Sequence, residues 1–101
     1  MAEMLRCELF PDDLDSAVRF YVEILGFHLD RDERSAASAY VALSRGAVRL
    51  GLAFRDDAVD AALRRSPTGV ELVLEVADLT AAHEHVVATG WLLQEELTER
   101  P

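Results

Sequence analysis

The feature that most constrains the fold of this chain is one local pattern that occurs twice. In each copy an alternating strand is followed by Asp-Leu, a helix, a glycine and an aromatic residue. The defining residues are Asp13, Gly26 and Phe27 in the first copy, and Asp78, Gly90 and Trp91 in the second. An aspartate can accept hydrogen bonds from the first helical N–H groups, and glycine commonly ends a helix. Repeated units usually stack to bury a face that neither can bury alone.

The elements around this repeat predict an α+β fold. Alternation of apolar and polar residues predicts strands over 5–10, 27–33, 39–44 and 47–54, with a tight turn at Arg45-Gly46. The first half therefore has the order β-α-β-β-β. In the second half, GVELVLEV (69–76) is predicted as a strand, 77–90 as a helix, and 91–101 as the beginning of another strand.

The domain organisation follows from these elements. A length of 101 residues fits one domain. We predict a first βαβββ module over 1–54, a linker over 55–68 and a partial second module over 69–101. Three explanations stay open for the two strands that the second module lacks. The two strands have been cut from the chain, or they are disordered or deleted, or a partner chain supplies them.

Composition excludes several classes of partner. The formal net charge of −9 disfavours binding to nucleic acid or to anionic membranes. No apolar run is long enough for a transmembrane helix, and MAEMLRCELF lacks the basic and apolar pattern of a secretion signal. Cys7 is the single cysteine, so no internal disulfide can form. We expect a cytoplasmic protein.

The segment DDLDSAVRFYVEILGF (12–27) resembles the first helix of the vicinal oxygen chelate superfamily, through D-L-x-x-A-x-x-F-Y-x-x-x-L-G-F. This superfamily includes glyoxalase I, bleomycin-resistance proteins and extradiol dioxygenases. The resemblance implies paired βαβββ modules whose curved sheets form an open cup, commonly in a homodimer. The second module is incomplete in this chain. Helices are expected to cover one face of each sheet, while the other face lines a ligand cavity.

The implied cup gives a set of candidate ligand-binding residues. Leu50 and Leu52 should lie under a helix, and so should the Val70, Leu72, Leu74, Val76 face of GVELVLEV. The orientation of Tyr40 relative to Val41 stays open. The candidates are Arg6, Glu8, Phe10, Tyr40, Arg49, Glu71, Glu75 and Trp91.

The resemblance also implies where a metal would bind. Alignment on the repeated Asp-Leu places Arg6, Gly51 and Glu71 at three family ligand positions. Arginine has no lone pair to donate and glycine has no side chain, so Glu71 alone could be a ligand. One carboxylate does not hold a divalent ion against water. We therefore predict no family-type metal site and no other cofactor.

Two functions remain as hypotheses. The first is a non-metal protein of the bleomycin-resistance type, which sequesters an aromatic or cationic small molecule such as an antibiotic. The alternative is a divalent-metal-dependent enzyme of the glyoxalase or dioxygenase type. Without the resemblance, Glu71 and Glu75 would be read as a solvated sheet face. For Arg6 and Arg49, ion pairs with these two glutamates are favoured over contacts to a substrate.

Overall fold

The computed structural model describes residues 3–54 and 69–93. The chain divides into two compact units, Met1–Ser66 and Pro67–Pro101. The predicted linker over 55–68 and most of the last predicted strand lie outside the described residues. No helix in the two described ranges is long and apolar enough to cross a membrane.

The first unit contains a four-stranded sheet. Its strands are β1 (Cys7–Leu9), β2 (His28–Glu33), β3 (Tyr40–Arg45) and β4 (Val48–Ala53). Their order in the sheet is β1-β4-β3-β2, with β1 parallel to β4 and the other pairs antiparallel. The predicted order β-α-β-β-β is thus confirmed, although the turn between β3 and β4 is Gly46-Ala47, one residue later than predicted.

The helix of the first unit begins as its sequence predicts. Helix α1 (Leu14–Arg19) is capped by Asp13, whose carboxylate accepts a 3.1 Å hydrogen bond from the backbone N–H of Ser16. This hydrogen bond is the main reason that the pKa of Asp13 lies below its usual value. The prediction that Asp13 starts this helix is confirmed.

The end of this helix differs from an ordinary α-helix. Residues Phe20–Ile24 form a π-helical segment, which the spacing of apolar residues did not indicate. Such wider turns leave carbonyl groups in need of other donors. Arg45 from the end of β3 supplies one, because its Nη1 donates a 2.7 Å hydrogen bond to the carbonyl of Leu25. The link holds the helix end against the sheet.

The core lies between the helix and one face of the sheet. Val41, Leu43 and Leu52 have at most 1% of their surface exposed, and Leu50 is also buried. From the helical side come Val18, Ile24 and Phe27. Burying a Leu or Val side chain fully contributes about 1.5–3 kcal/mol. The predicted position of Leu50 and Leu52 on the helix-covered face is confirmed.

A β-bulge in β2 changes which side chains reach the other face. Leu29 and Arg31 pair with adjacent residues of β3, so Asp30 is left as the extra residue. The bulge moves Arg31 and Glu33 to the face opposite Leu29, whereas strict alternation would put all three together. There they form a 2.9 Å ion pair in solvent, and neither charge is buried beneath the helix.

The second unit contains helix α2 (Leu79–Thr89). Its cap at Asp78 and its C-terminal glycine, Gly90 with φ of 80°, confirm the predicted helix ends. Residues 70–76, by contrast, form no β-strand, and Val70 and Leu72 are 63% and 56% exposed. The predicted strand and its buried face are therefore not found, and residues 91–93 are not a strand either. Alternation signals a strand only where a partner strand is available for pairing.

Candidate functional site

The face of the sheet opposite α1 is set by the strand register, because directly paired residues share a face. Glu8 and Ala42 both pair with Gly51. Tyr40 pairs with Ala53 and is opposite in alternation to the buried Val41. Tyr40 therefore lies on the same face as Glu8, which settles the orientation that the sequence left open. We call this surface the open face.

Three predicted site residues meet on the open face. Arg6 donates through Nε to Oε1 of Glu8 at 2.8 Å, and the Tyr40 hydroxyl donates to the same oxygen at 3.2 Å. The guanidinium of Arg6 lies over the Tyr40 ring, 5.7 Å from its centroid. Each side chain thus contacts the other two. We refer to Arg6, Glu8 and Tyr40 as the Glu8 cluster.

Gly51 makes room for this cluster. A β-carbon at this position would collide with the carboxylate of Glu8 and the hydroxyl of Tyr40. Two large polar side chains can therefore cross the middle of the sheet only because residue 51 has no side chain. Glycine in the interior of a strand usually lowers stability, but at position 51 it is needed to leave space for Glu8 and Tyr40.

The Glu8 cluster also fixes the protonation of its phenol. Burial raises the pKa of Tyr40, and the nearby negative charge of Glu8 raises it further, against an opposing effect of Arg6. The phenol therefore remains protonated and can keep donating to Glu8. A carboxylate that already has two donors is less able to attract a third.

A groove of about 340 Å³ lies beside the cluster. It is lined by Met4, Arg6, Asp30, Ala42, Leu43, Arg49 and Leu50. The predicted candidate Arg49 is half-buried and lies in the lining with Arg6. Its Nη1 donates to the carbonyls of Gly46 at 2.7 Å and Val48 at 3.0 Å.

Asp30 is a groove residue that the sequence prediction missed. It is the bulged residue of β2, and its carboxylate contacts Nδ1 of His28 at 2.6 Å. Hydrogen bonds from His28 and Ser44, with smaller effects of the charges of His28 and Arg49, lower the pKa of Asp30. A bulge leaves no mark in the alternation of apolar residues, so only the strand pairing reveals this position.

Of the other predicted site residues, Phe10 belongs to the first unit, and Glu71, Glu75 and Trp91 belong to the second. Phe10 follows β1 and is half-buried. Glu71 and Glu75 are exposed in the second unit, and Trp91, 41% exposed, follows the end of α2. Their part in ligand binding stays a prediction.

The residues at the family metal positions do not fit a metal ion. Arg6 can only donate hydrogen bonds, and the space that a side chain of residue 51 would need is filled by the Glu8 carboxylate. That carboxylate is engaged by Arg6 and Tyr40. Within 3–54 and 69–93, no three His, Cys, Asp or Glu side chains are grouped as metal ligands would be. We derive no metal-dependent step for this chain.

Comparison with known proteins identifies the family and the fold. The family model for the Glyoxalase/Bleomycin resistance protein/Dioxygenase superfamily matches residues 3–101. A structure from the mobile metagenome of V. Pseudocholerae is similar with a TM-score of 0.66 at 20% identity, covering 99% of this chain and 76% of the other. An integron cassette protein of V. Cholerae gives 0.64 at 17% identity, covering 99% and 77%.

A third similar structure is a virulence protein from Salmonella typhimurium, with a TM-score of 0.64 at 20% identity, covering 99% of this chain and 78% of that one. At these identities the likeness shows the fold alone. A search of curated proteins found no match. The structural likeness and the family match agree with the α+β architecture of the first unit.

Proposed function

This chain belongs to the Glyoxalase/Bleomycin resistance protein/Dioxygenase superfamily, and we propose that within it the protein binds a small organic ligand without a family-type metal. The open face of the first unit is the proposed binding surface. The proposed ligand-contacting residues on it are Arg6, Glu8, Tyr40 and Arg49, with Phe10 at its edge. Glu71, Glu75 and Trp91 of the second unit are proposed as further ligand contacts.

One observation carries this proposal, namely the Glu8 cluster packed over Gly51. A metal-dependent member needs several side chains with lone pairs that converge on one point. At the same place this chain has a guanidinium, a glycine and a carboxylate that two donors already hold. Such a surface is suited to binding and not to Lewis-acid chemistry.

The cluster also bears on what kind of molecule would bind. Tyr40 and the Arg6 guanidinium are flat groups on which an aromatic ring can stack, typically worth about 0.5–1.5 kcal/mol. A cation has less to bind in this unit, because Glu8 is paired with Arg6, Glu33 with Arg31 and Asp30 with His28. We therefore favour an aromatic small molecule, such as an antibiotic with a planar ring system, over a purely cationic one.

The first test separates binding from metal-dependent catalysis. Purified protein is dialysed against zinc, nickel, manganese or iron(II) and then against metal-free buffer, and its metal content is measured. We expect well below one ion per chain. Stoichiometric retention of one of these ions would overturn the proposal.

The second test measures ligand binding directly. Polyaromatic and cationic antibiotics, including bleomycin, are titrated into the protein while the emission of Trp91 and the amide spectrum of β3 and β4 are followed. Tyr40→Phe should retain affinity, because the ring remains. Tyr40→Leu should weaken binding by about 2- to 10-fold. If no compound gives a saturable response in either signal, the proposed binding function fails.

We also propose that the protein is a cytoplasmic homodimer. The second unit exposes several apolar side chains that a second copy could cover, among them Val70, Leu72, Val73, Val87 and Leu92. The free thiol of Cys7 is compatible with a reducing compartment. Sedimentation equilibrium at micromolar concentration should give twice the chain mass, and a persistent monomer would contradict the dimer.

A further inference from the structure

Arg49 differs from the other arginines in how its guanidinium is held. Four arginines of the described chain, Arg6, Arg19, Arg31 and Arg34, form ion pairs with carboxylates. Arg45 is directed to a main-chain carbonyl near the core. Arg49 forms no ion pair with any residue in 3–54 or 69–93, although it lines the groove. Among the described residues, Arg49 is therefore the arginine of the open face that has no carboxylate within ion-pair distance.

The hydrogen bonds of Arg49 leave a specific edge of the guanidinium available. Nη1 has two hydrogens, and they are used by the carbonyls of Gly46 and Val48. Nε and Nη2 make no hydrogen bond to the described residues. Their N–H bonds are parallel and spaced to match the two oxygens of a carboxylate. Because Nη1 is anchored and the side chain is half-buried, little rotamer freedom remains to be lost on binding.

The remainder of the groove supports an anionic ligand with an organic body. Arg6 adds a second guanidinium to the lining, while Met4 and Ala42 supply apolar surface. Asp30 opposes an anion, and its charge interacts with that of Arg49. Its carboxylate is held by His28 at 2.6 Å and forms no ion pair with Arg49. The groove therefore combines one available bidentate donor, a second guanidinium that is already paired with Glu8, and room for a ring.

We propose that this groove binds the carboxylate of a small aromatic acid, with the Nε and Nη2 edge of Arg49 as the bidentate donor. This inference rests on the proposed binding function and narrows its ligand class to organic anions. It differs from capture of a cation, which is one of the two ligand classes in the hypothesis drawn from the sequence.

The test uses three probes that share one ring and differ in charge, namely benzoate, benzamide and benzylammonium. Each is titrated into the full chain in a phosphate-free buffer of low ionic strength, and backbone amide shifts are recorded. We expect benzoate to shift the amides of Ala42 and Leu50 saturably, and added sodium chloride to weaken the effect. Benzamide and benzylammonium should bind the same groove at least about tenfold more weakly.

Variants then assign the contact. Arg49→Gln should reduce benzoate affinity by about tenfold or more, and Arg49→Lys should recover only part of it, because lysine lacks the fork. Arg31→Gln is the matched control, since Arg31 lies on the same face but is paired with Glu33. It should leave benzoate affinity within about twofold. Asp30→Asn should strengthen benzoate binding, because it removes a negative charge from the lining.

The outcomes separate this inference from the function on which it rests. If benzamide or benzylammonium shifts the same amides as strongly as benzoate, or if Arg49→Lys binds benzoate like the wild type, the carboxylate site is refuted while small-molecule binding stands. If none of the three probes, nor any antibiotic of the panel, perturbs the open face, both proposals fail. The comparison of the three probes uses the wild-type protein. It therefore tests the carboxylate site even if the Arg49→Gln protein does not fold.

Discussion

Replacing Gly51 by alanine tests the Glu8 cluster directly. The added β-carbon would lie 2.8 Å from Cδ of Glu8 and closer still to its carboxylate oxygen and to the Tyr40 hydroxyl. All three atoms are at the ends of flexible side chains, so these groups can move aside while the backbone stays in place. We therefore expect Gly51→Ala to fold, with Glu8 and Tyr40 displaced from one another.

The expected change in stability is the difference of two small effects. Loss of the Tyr40–Glu8 hydrogen bond costs about 0.5–1.5 kcal/mol, and weakening of the exposed Arg6–Glu8 pair costs at most about 1 kcal/mol. Removing a glycine from the unfolded chain stabilises by about 0.4–1 kcal/mol. The free energy of unfolding, measured by urea denaturation, should therefore change by between a gain of about 0.5 kcal/mol and a loss of about 2 kcal/mol. A loss of stability above about 3 kcal/mol would show that the Glu8 and Tyr40 side chains cannot move away from the added methyl group.

The phenol of Tyr40 reports whether the cluster has opened. Its pKa is raised by burial and by the charge of Glu8, so displacement should lower that pKa. Spectrophotometric titration in a Tyr21→Phe background isolates Tyr40, because the chain has two tyrosines. Glu8→Gln should also lower the pKa of Tyr40. Glu23→Gln, in the π-helical segment on the helix-covered side of the sheet, should leave it unchanged. An unchanged Tyr40 pKa in both Gly51→Ala and Glu8→Gln would refute the cluster.

Three further predictions concern the framework of the fold. Leu43→Ala should lower the free energy of unfolding by about 2–5 kcal/mol, because Leu43 is 1% exposed. Leu5→Ala, at a site 90% exposed and outside the proposed dimer surface, should change it by less than about 0.5 kcal/mol in the same denaturation assay. Arg45→Gln should cost about 1–3 kcal/mol by leaving the partly buried carbonyl of Leu25 without its donor, and a loss near zero would show that water replaces the guanidinium. The pKa of Asp13 is lowered in the folded state from its usual 3.8, so its contribution is present above that pH and is lost as the pH falls through the folded value. In acid titrations followed by circular dichroism, Asp13→Asn should flatten this part of the stability curve while keeping the helix.

Much of the first unit could be predicted from the sequence because its signals are local. Alternation identified the four strands, and the Asp13 and Gly26 ends identified the helix between β1 and β2. The bulge at Asp30 could not be predicted, since it is defined by pairing with another strand. The π-helical segment Phe20–Ile24 was missed for a similar reason, because one extra residue in a turn barely changes the apolar spacing over so short a stretch.

For the candidate site, the sequence predicted which side chains share a face of the sheet, but not which bonds they make. Alternation and the family resemblance placed Arg6, Glu8 and Arg49 on the open face, and the structure resolved the orientation of Tyr40. The sequence could not show that Glu8 is committed to Arg6 and Tyr40, or that Arg49 is anchored by main-chain carbonyls. Both facts depend on side-chain distances that residue order does not determine. They narrow the proposed ligand from an aromatic or cationic molecule to an aromatic anion.

The parallel pairing of β1 with β4 has a consequence for how the chain folds. During synthesis β1 emerges first, yet its partner is the last strand of the sheet, with Cys7 opposite Leu50. The antiparallel β2-β3-β4 meander needs only short loops, so its closure should come early, and β1 and α1 should dock late, because closing the longer loop costs more entropy. Pulsed hydrogen exchange during refolding should protect the amides of β3 before those of β1, and the reverse order would contradict this pathway. Until β4 has been synthesised, β1 has no partner strand in this sheet, so a nascent chain of this protein is most open to mispairing at β1.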